Sequence, residues 1–159
     1  MLNIKKLLPI HSRACYESFD LLSGETRFFE SMGWSQNQFE IQLLKENNFS
    51  LGIFNNNKLD GFLIGDLISI ENIIEYEILL IYVIKEKRNL GNASKLLTNI
   101  SFKKLEKIYL EVAENNLGAI KLYENNGFRK IGIRKNYYNF PNQKKLDAYF
   151  FEKYDQRKI

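Results

Sequence analysis

Cysteine occurs once in this chain, as Cys15, histidine once, as His11, and proline twice in 159 residues. One thiol cannot close a disulfide within the monomer, so a reducing compartment is expected. The only histidine lies in the amino-terminal region, without a nucleophile-elbow motif, which leaves Ser-His-Asp chemistry unsupported. His11 and Cys15 are spaced i, i+4. No Cys-x-x-Cys and no second histidine accompanies them, so no metal is expected. Long hydrophobic runs are missing too. The longest, Ile78 to Ile84, falls far short of the roughly 20 residues that span a bilayer. The opening MLNIKKLLPIHSR lacks the apolar region and small-residue cleavage site of a signal peptide. The expectation is a cytoplasmic protein with no membrane partner. Charge of one sign is also modest, at a net +4. No Arg/Lys stripe interleaves with aromatics, so direct nucleic-acid binding is not expected. A mild positive charge favours an anionic cofactor or a nucleic-acid-rich partner. It could equally serve solubility alone.

What is present is a hydrophobic fraction of 45% spread along the chain. The length predicts one domain, residues 1–159. Residues 2–8 alternate weakly, as an edge strand would. Residues 10–22 look helical, with Ala14, Phe19 and Leu22 as inward candidates. Ser35 followed by Gln38 reads as a capping box, and Trp34 before it can staple to Phe39. A helix over 36–46 follows. Two strands, 49–54 and 59–70, flank Asn55-Asn56-Asn57-Lys58, and asparagine tolerates the positive φ of a hairpin turn. Residues 75–84 predict a central strand covered on both faces. Then come a helix over 91–102, a strand over 107–113, a helix over 117–125 and strands over 128–134 and 148–154. The pattern is a mixed α/β domain.

Two segments carry the chemistry. The first is Arg88-Asn89-Leu90-Gly91-Asn92-Ala93, between a buried strand and a helix. Small Gly91 and Ala93 let backbone approach a ligand, and the free N–H groups of a helix start favour an anion such as pyrophosphate. A simple strand–turn–helix joint has the same look. The second is Glu111-Val-Ala-Glu-Asn-Asn116 through Tyr123 to Gly127-Phe128. Strand alternation puts Tyr109, Glu111 and Ala113 on one face. A half-buried carboxylate there can act as a base, or it can simply pair with a neighbouring lysine. Asn116 is a plausible N-cap and Gly127 a stop. Asn116 and Tyr123 are seven residues apart and so share a helix face to within roughly 20°. Tyr123 also reads as a core aromatic.

These pieces together resemble the GCN5-related N-acetyltransferase (GNAT) superfamily, and within it the bacterial ribosomal-protein-alanine N-acetyltransferase branch. Arg88, Gly91 and Ala93 match Gln/Arg-x-x-Gly-x-Gly/Ala. Asn116, Ala119, Leu122, Tyr123, Gly127 and Phe128 match Asn-x-x-Ala-x-x-Leu-Tyr-x-x-x-Gly-Phe. Arg134-x-x-Tyr137-Tyr138, Asp147-Ala148 and Gly33-Trp34-Ser35 resemble the branch. The resemblance implies the GNAT fold, a mixed sheet of about seven strands with splayed central strands and flanking helices. It implies acetyl-CoA as donor and no metal. Backbone at Ile81, Tyr82 and Val83 would hold the pantetheine and thioester. Arg88, Asn89, Leu90, Gly91, Asn92, Ala93 and Ser94 would hold the pyrophosphate, and Asn116 and Tyr123 would also touch the cofactor. Glu111 would be the proton acceptor and Tyr123 the proton donor to the leaving thiolate. Trp34, Tyr137 and Tyr138 would line the acceptor site.

The expected acceptor is a protein N-terminus, that of alanine on a small-subunit ribosomal protein. An α-amine, with a pKa of about 7.7–8, asks less of a carboxylate base than a lysine near 10.4. Leu90 departs from the basic or polar residue common before Gly91. Pro is absent before Trp34, and the helix after the loop looks about a turn short. Two other readings stay open: an enzyme acetylating a small amine (polyamine, antibiotic or amino acid), and a non-catalytic CoA-binding module.

Overall fold

The computed structural model describes residues 1–155. Seven strands form one sheet: β1 (Leu2–Lys6), β2 (Leu51–Asn55), β3 (Lys58–Ile70), β4 (Ile73–Val83), β5 (Leu105–Ala113), β6 (Arg129–Tyr138) and β7 (Leu146–Tyr154). Their order is β1-β2-β3-β4-β5-β7-β6. The helices are α1 (Ser12–Glu17), α2 (Glu25–Ser31), α3 (Gln36–Leu44), α4 (Asn92–Thr98) and α5 (Leu117–Asn125). The expected mixed α/β class and seven-stranded mixed sheet are found. The chain groups into two compact units, Met1–Asp66 with Leu80–Ile100, and Leu67–Leu79 with the chain from Ser101 onward.

In the first unit β1 pairs with β2, and β2 with β3, both antiparallel. Asn56 and Asn57 turn the hairpin at φ 48° and 66°, the left-handed values that favour asparagine over bulkier residues. The core is aromatic. Phe39 and Phe62 are fully buried, edge to face at 5.6 Å, and Phe19 meets the Tyr82 ring at 5.1 Å. Ser35 accepts a hydrogen bond from Gln38 N at 3.1 Å, and the Trp34 ring sits 5.1 Å from Phe39. The serine half of the expected capping box and the staple are present.

The expected long helix over 10–22 is broken. A 3-10 turn covers Pro9–His11, α1 stops at Glu17, and the chain then turns. The Asp20 carboxylate accepts from Leu22 N at 2.9 Å and Ser23 N at 3.4 Å. A side chain that satisfies the backbone locally competes with further helix. Phe19 is buried as expected, whereas Leu22 is almost wholly exposed. No sequence signal announces α2. It buries no residue and starts at Gly24 with no side-chain cap, so neither an apolar stripe nor a cap residue announces it. α4 ends four residues earlier than expected. The Lys95 carbonyl there accepts from Thr98 Oγ1 at 3.1 Å and Asn99 Nδ2 at 2.8 Å.

In the second unit β4 and β5 run parallel, registered from Ile74 with Leu105 to Ile78 with Leu110. β7 pairs antiparallel with both β5 and β6. Ile108, Leu110 and Val112 are buried, and Tyr109, Glu111 and Ala113 are half-buried, as alternation predicts. α5 spans the expected residues, with Gly127 beyond it at φ 86°. β6 runs four residues further than expected, because a register shift between Arg134 and Tyr138 lets the strand resume.

One expectation for β4 needs correction. Its apolar run was predicted to be covered on both faces. Ile78 and Tyr82 are buried, but Leu79, Leu80, Ile81 and Val83 are only half-buried. The ladder to β5 ends at Ile78, and β4 runs on to Val83.

Candidate active site

Glu111 sits near the carboxy-terminal end of β5, opposite Phe150 of β7, which is in turn opposite Gly132 of β6. Two residues along, Ala113, Ala148 and Arg134 are aligned. Paired residues project to the same face, so Arg134 reaches toward Glu111 over small side chains. Arg134 Nη2 lies 3.1 Å from Glu111 Oε1, and its Nη1 donates to Oε2 at 3.4 Å. The guanidinium also stands 4.7 Å from the centre of the Tyr137 ring. Tyr137 meets Tyr138 edge to face at 5.1 Å.

The turn in β6 that makes this possible is pinned by Asp147. Its carboxylate accepts from Asn136 N at 2.9 Å and pairs with Lys135 Nζ at 3.1 Å. Asn136 is left-handed at φ 53°. Sequence reasoning gave neither Asp147 nor Arg134 a task, although both lie in motifs it singled out.

Tyr123 lies on α5, edge to face with Phe128 at 5.6 Å and 6.3 Å from Phe151. Phe151 is on the face of β7 opposite Phe150, so Tyr123 and Glu111 approach that strand from opposite sides. Tyr123 is buried, at 5% exposure. Burial, and then the nearby Tyr138, push its phenol above the usual tyrosine range. Burial, and then the Glu111 charge, push Tyr138 up to about 12. Asn116 caps α5, its side-chain oxygen accepting from Ala119 N at 3.2 Å. Asn116 is exposed where Tyr123 is buried.

The expected cofactor loop lies in the first unit. Asn89 and Gly91 are both left-handed, at φ 60° and 78°. A Cβ built on Gly91 meets nothing within 4 Å, so the loop is open on that side. No side chain caps the start of α4. Buried Asn92 turns its side-chain amide to the Lys87 carbonyl at 3.0 Å. Ala93 and Ser94 are half-buried, and Leu90 is exposed. An open, uncapped turn flanked by Lys87 and Lys95 suits a pyrophosphate.

Arg88 is more committed than its place in the motif suggested. Nε donates to the Val83 carbonyl at 2.8 Å, and Nη2 donates to Glu25 Oε1 at 2.9 Å. The guanidinium also lies over the Tyr82 ring at 5.4 Å. The Tyr82 hydroxyl donates to the other Glu25 oxygen, which accepts from Asp20 N as well, at 3.0 Å. Burial alone would raise the Glu25 carboxyl. The hydrogen bonds from Tyr82 and Arg88 outweigh it and hold the group below its usual range. Tyr82 is raised by burial and by Glu25. Sequence reasoning missed Glu25, because only its position on the unannounced α2 brings it here.

Trp34 packs on Phe39 and is half-buried. Burial pushes the Cys15 thiol up to about 12, which makes it a poor nucleophile. His11 Nδ1 accepts from Leu8 N at 2.8 Å. Among the described residues no helix is long and apolar enough to cross a membrane.

Comparisons with known proteins agree with this frame. Residues 13–128 match the profile of the Acetyltransferase (GNAT) family. A [Ribosomal protein bS18]-alanine N-acetyltransferase from Haemophilus ducreyi is 40% identical over 62 residues. That match spans 36% of this chain and 43% of the relative's length. The ribosomal-protein-S18-alanine N-acetyltransferase of Escherichia coli superposes with a TM-score of 0.76 at 23% identity, over 97% of this chain and 94% of that one. NAA60 of Arabidopsis thaliana, solved with acetyl-CoA, gives 0.76 at 16% identity, over 97% and 98%. At these identities the two solved structures speak to the fold.

Proposed function

Because the chain belongs to the acetyltransferase (GNAT) family, we propose that it moves the acetyl group of acetyl-CoA to the N-terminal amine of a protein. The acceptor is the N-terminal alanine of a small-subunit ribosomal protein, and the reaction takes place in the cytoplasm. The observation that carries this reading is Glu111 held at a strand end by Arg134, whose guanidinium lies against Tyr137 and, beyond it, Tyr138.

In the reaction the amine nitrogen attacks the acetyl carbon, the C–S bond breaks, and the sulfur leaves as a thiolate. Glu111, half-buried at a strand end, takes the proton the amine loses, directly or through one water. Tyr123, protonated throughout the neutral range, donates its hydrogen to the departing sulfur. In the first unit the turn Arg88–Ser94 and the backbone at Ile81–Val83 would hold the donor. In the second, Tyr137 and Tyr138 beside Arg134 would meet the acceptor chain. The electrophile needs no covalent partner on the protein, and the buried Cys15 offers none.

The charge around Glu111 favours an α-amine over a polycation. Glu75 is paired with Lys107 at 3.3 Å, and Asp147 is taken by Lys135 and Asn136 N. A polycation would meet carboxylates that already have cationic partners, Glu111 among them.

The test is direct. The protein is incubated with acetyl-CoA and a six-residue peptide beginning with alanine, copied from the ribosomal protein's amino terminus, and products are read by mass. Acetylated peptide is expected. An unmodified peptide beside acetylated spermidine would reject the acceptor. Glu111→Gln and Tyr123→Phe should each cut turnover while acetyl-CoA still binds in calorimetry.

A further inference from the structure

We infer that Arg134 is a positioning residue that fixes the plane of the Glu111 carboxylate for proton transfer, an inference that rests on Glu111 being the base. The two guanidinium nitrogens meet the two carboxylate oxygens separately, at 3.1 and 3.4 Å. A fork of this kind sets the direction of a carboxylate as well as its place. Each oxygen has about two acceptor sites, so the fork leaves one on each for an incoming proton.

The fork is itself held. Its flat face lies against Tyr137 at 4.7 Å, and Tyr137 rests on Tyr138 at 5.1 Å. Asp147 fixes the turn that brings Tyr137 back over Arg134, through Asn136 N and Lys135. The path from Arg134 to Glu111 crosses β7 at Ala148, where a methyl group offers little obstruction.

Stability does not account for this arrangement. Arg134 has 58% of its side chain exposed, and an ion pair so open to water contributes little to folding. The geometry instead acts on direction. Without the fork, a glutamate on a strand end turns freely about its last torsion, which is broad and roughly two-fold. Reaction rates are sensitive to such misplacement.

The experiment measures turnover with saturating acetyl-CoA and either the alanine hexapeptide or spermidine, whichever the wild type acetylates. The variants are Arg134→Ala, Arg134→Lys, Glu111→Gln and the double variant Arg134→Ala/Glu111→Gln. Thermal melts and acetyl-CoA calorimetry accompany each, and both should stay near wild type for the Arg134 variants. Arg134→Ala should lower kcat about tenfold, with the KM for acetyl-CoA unchanged. Arg134→Lys should recover only part of that loss, because an ammonium is a point charge without a fork. Adding guanidinium ion should restore rate to Arg134→Ala and not to Glu111→Gln. In the double variant, loss of Arg134 should cost nothing beyond loss of Glu111.

Wild-type turnover in Arg134→Ala would overturn the inference, as would an undiminished loss in the double variant. Full turnover in Glu111→Gln would instead remove the base assignment, and the inference with it. A failed hexapeptide with active spermidine rejects the acceptor alone and leaves the Arg134 comparison intact.

Discussion

Glu25 accepts from three donors, and removing it gives a sharp quantitative expectation. In Glu25→Ala the Tyr82 hydroxyl can turn its one hydrogen to the Ser18 carbonyl, 3.1 Å away. Arg88 keeps the Val83 carbonyl, and Asp20 N is close enough to the surface to find water. No donor is stranded, so the full cost of an orphaned buried group does not apply. What is lost is one hydrogen bond from Tyr82 to a charged group, about 1.5–3 kcal/mol. The Arg88 pair adds about 0.5 kcal/mol, discounted because that side chain is 41% exposed. The expected loss is about 2–3.5 kcal/mol, or a Tm lower by about 4–14 °C in a chain of this size.

The pH dependence supplies the sign. Glu25 is held below its usual range in the fold, so its stabilisation is fully present above the unfolded carboxyl pKa of about 4.3. It fades as pH falls through the lower folded value. Urea unfolding of wild type and Glu25→Gln should therefore differ most above about pH 5 and converge toward pH 3. A gap that stays constant with pH, or a Glu25→Ala loss under about 0.5 kcal/mol, would refute the reading of this network.

Three shorter expectations follow from the same geometry. Phe39 is fully buried among Phe19, Phe62 and Trp34, so Phe39→Ala should cost about 3–5 kcal/mol in urea unfolding. Gly91→Ala meets no steric obstacle but must hold φ at 78°. It should lose about 1–2 kcal/mol through backbone strain and weaken acetyl-CoA binding in calorimetry. Asn116→Ala removes the α5 cap and should cost about 1 kcal/mol, with a further drop in acetyl-CoA affinity that a pure cap would not produce.

What was legible in the sequence followed local rules. Ser35, Trp34, Asn56-Asn57, Asn116 and Gly127 act within a few residues of themselves, and each does in the structure what its type suggests. The alternation of β5 placed Glu111 on its half-buried face for the same reason. The misses were non-local. Nothing near Glu25 signals that Tyr82 and Arg88, far along the chain, need its carboxylate. The 10–22 helix failed because a single side chain, Asp20, satisfies backbone that the apolar spacing had assigned to helix. The run Ile78–Ile84 looked like a doubly covered strand because composition records apolarity and not which neighbours arrive. Arg134 was visible as a motif letter, but its task depends on a left-handed Asn136 and on Ala148, on the strand between it and Glu111.

The burial of Tyr123 bears on whether it can protonate a thiolate at all. An ordinary phenol titrates near 10 and a thiol near 8.5. Passing the proton is then uphill by about 1.5 units, or about 2 kcal/mol. Tyr123 is raised further by burial and Tyr138, which taken alone would make it a poor acid. The same desolvation acts on any thiolate formed beside it, because burial disfavours every anion. Both values climb together, and the gap stays near the modest difference of the free groups. A dry phenol is therefore matched to a dry thiolate, where a carboxylic acid in its place would already be ionised at neutral pH. The expected signature is a solvent deuterium effect on kcat in the wild type that shrinks in Tyr123→Phe, with acetyl-CoA affinity unchanged. An equal isotope effect in both would show that the sulfur takes its proton from elsewhere, and Tyr123 would revert to the core aromatic its packing against Phe128 and Phe151 also describes.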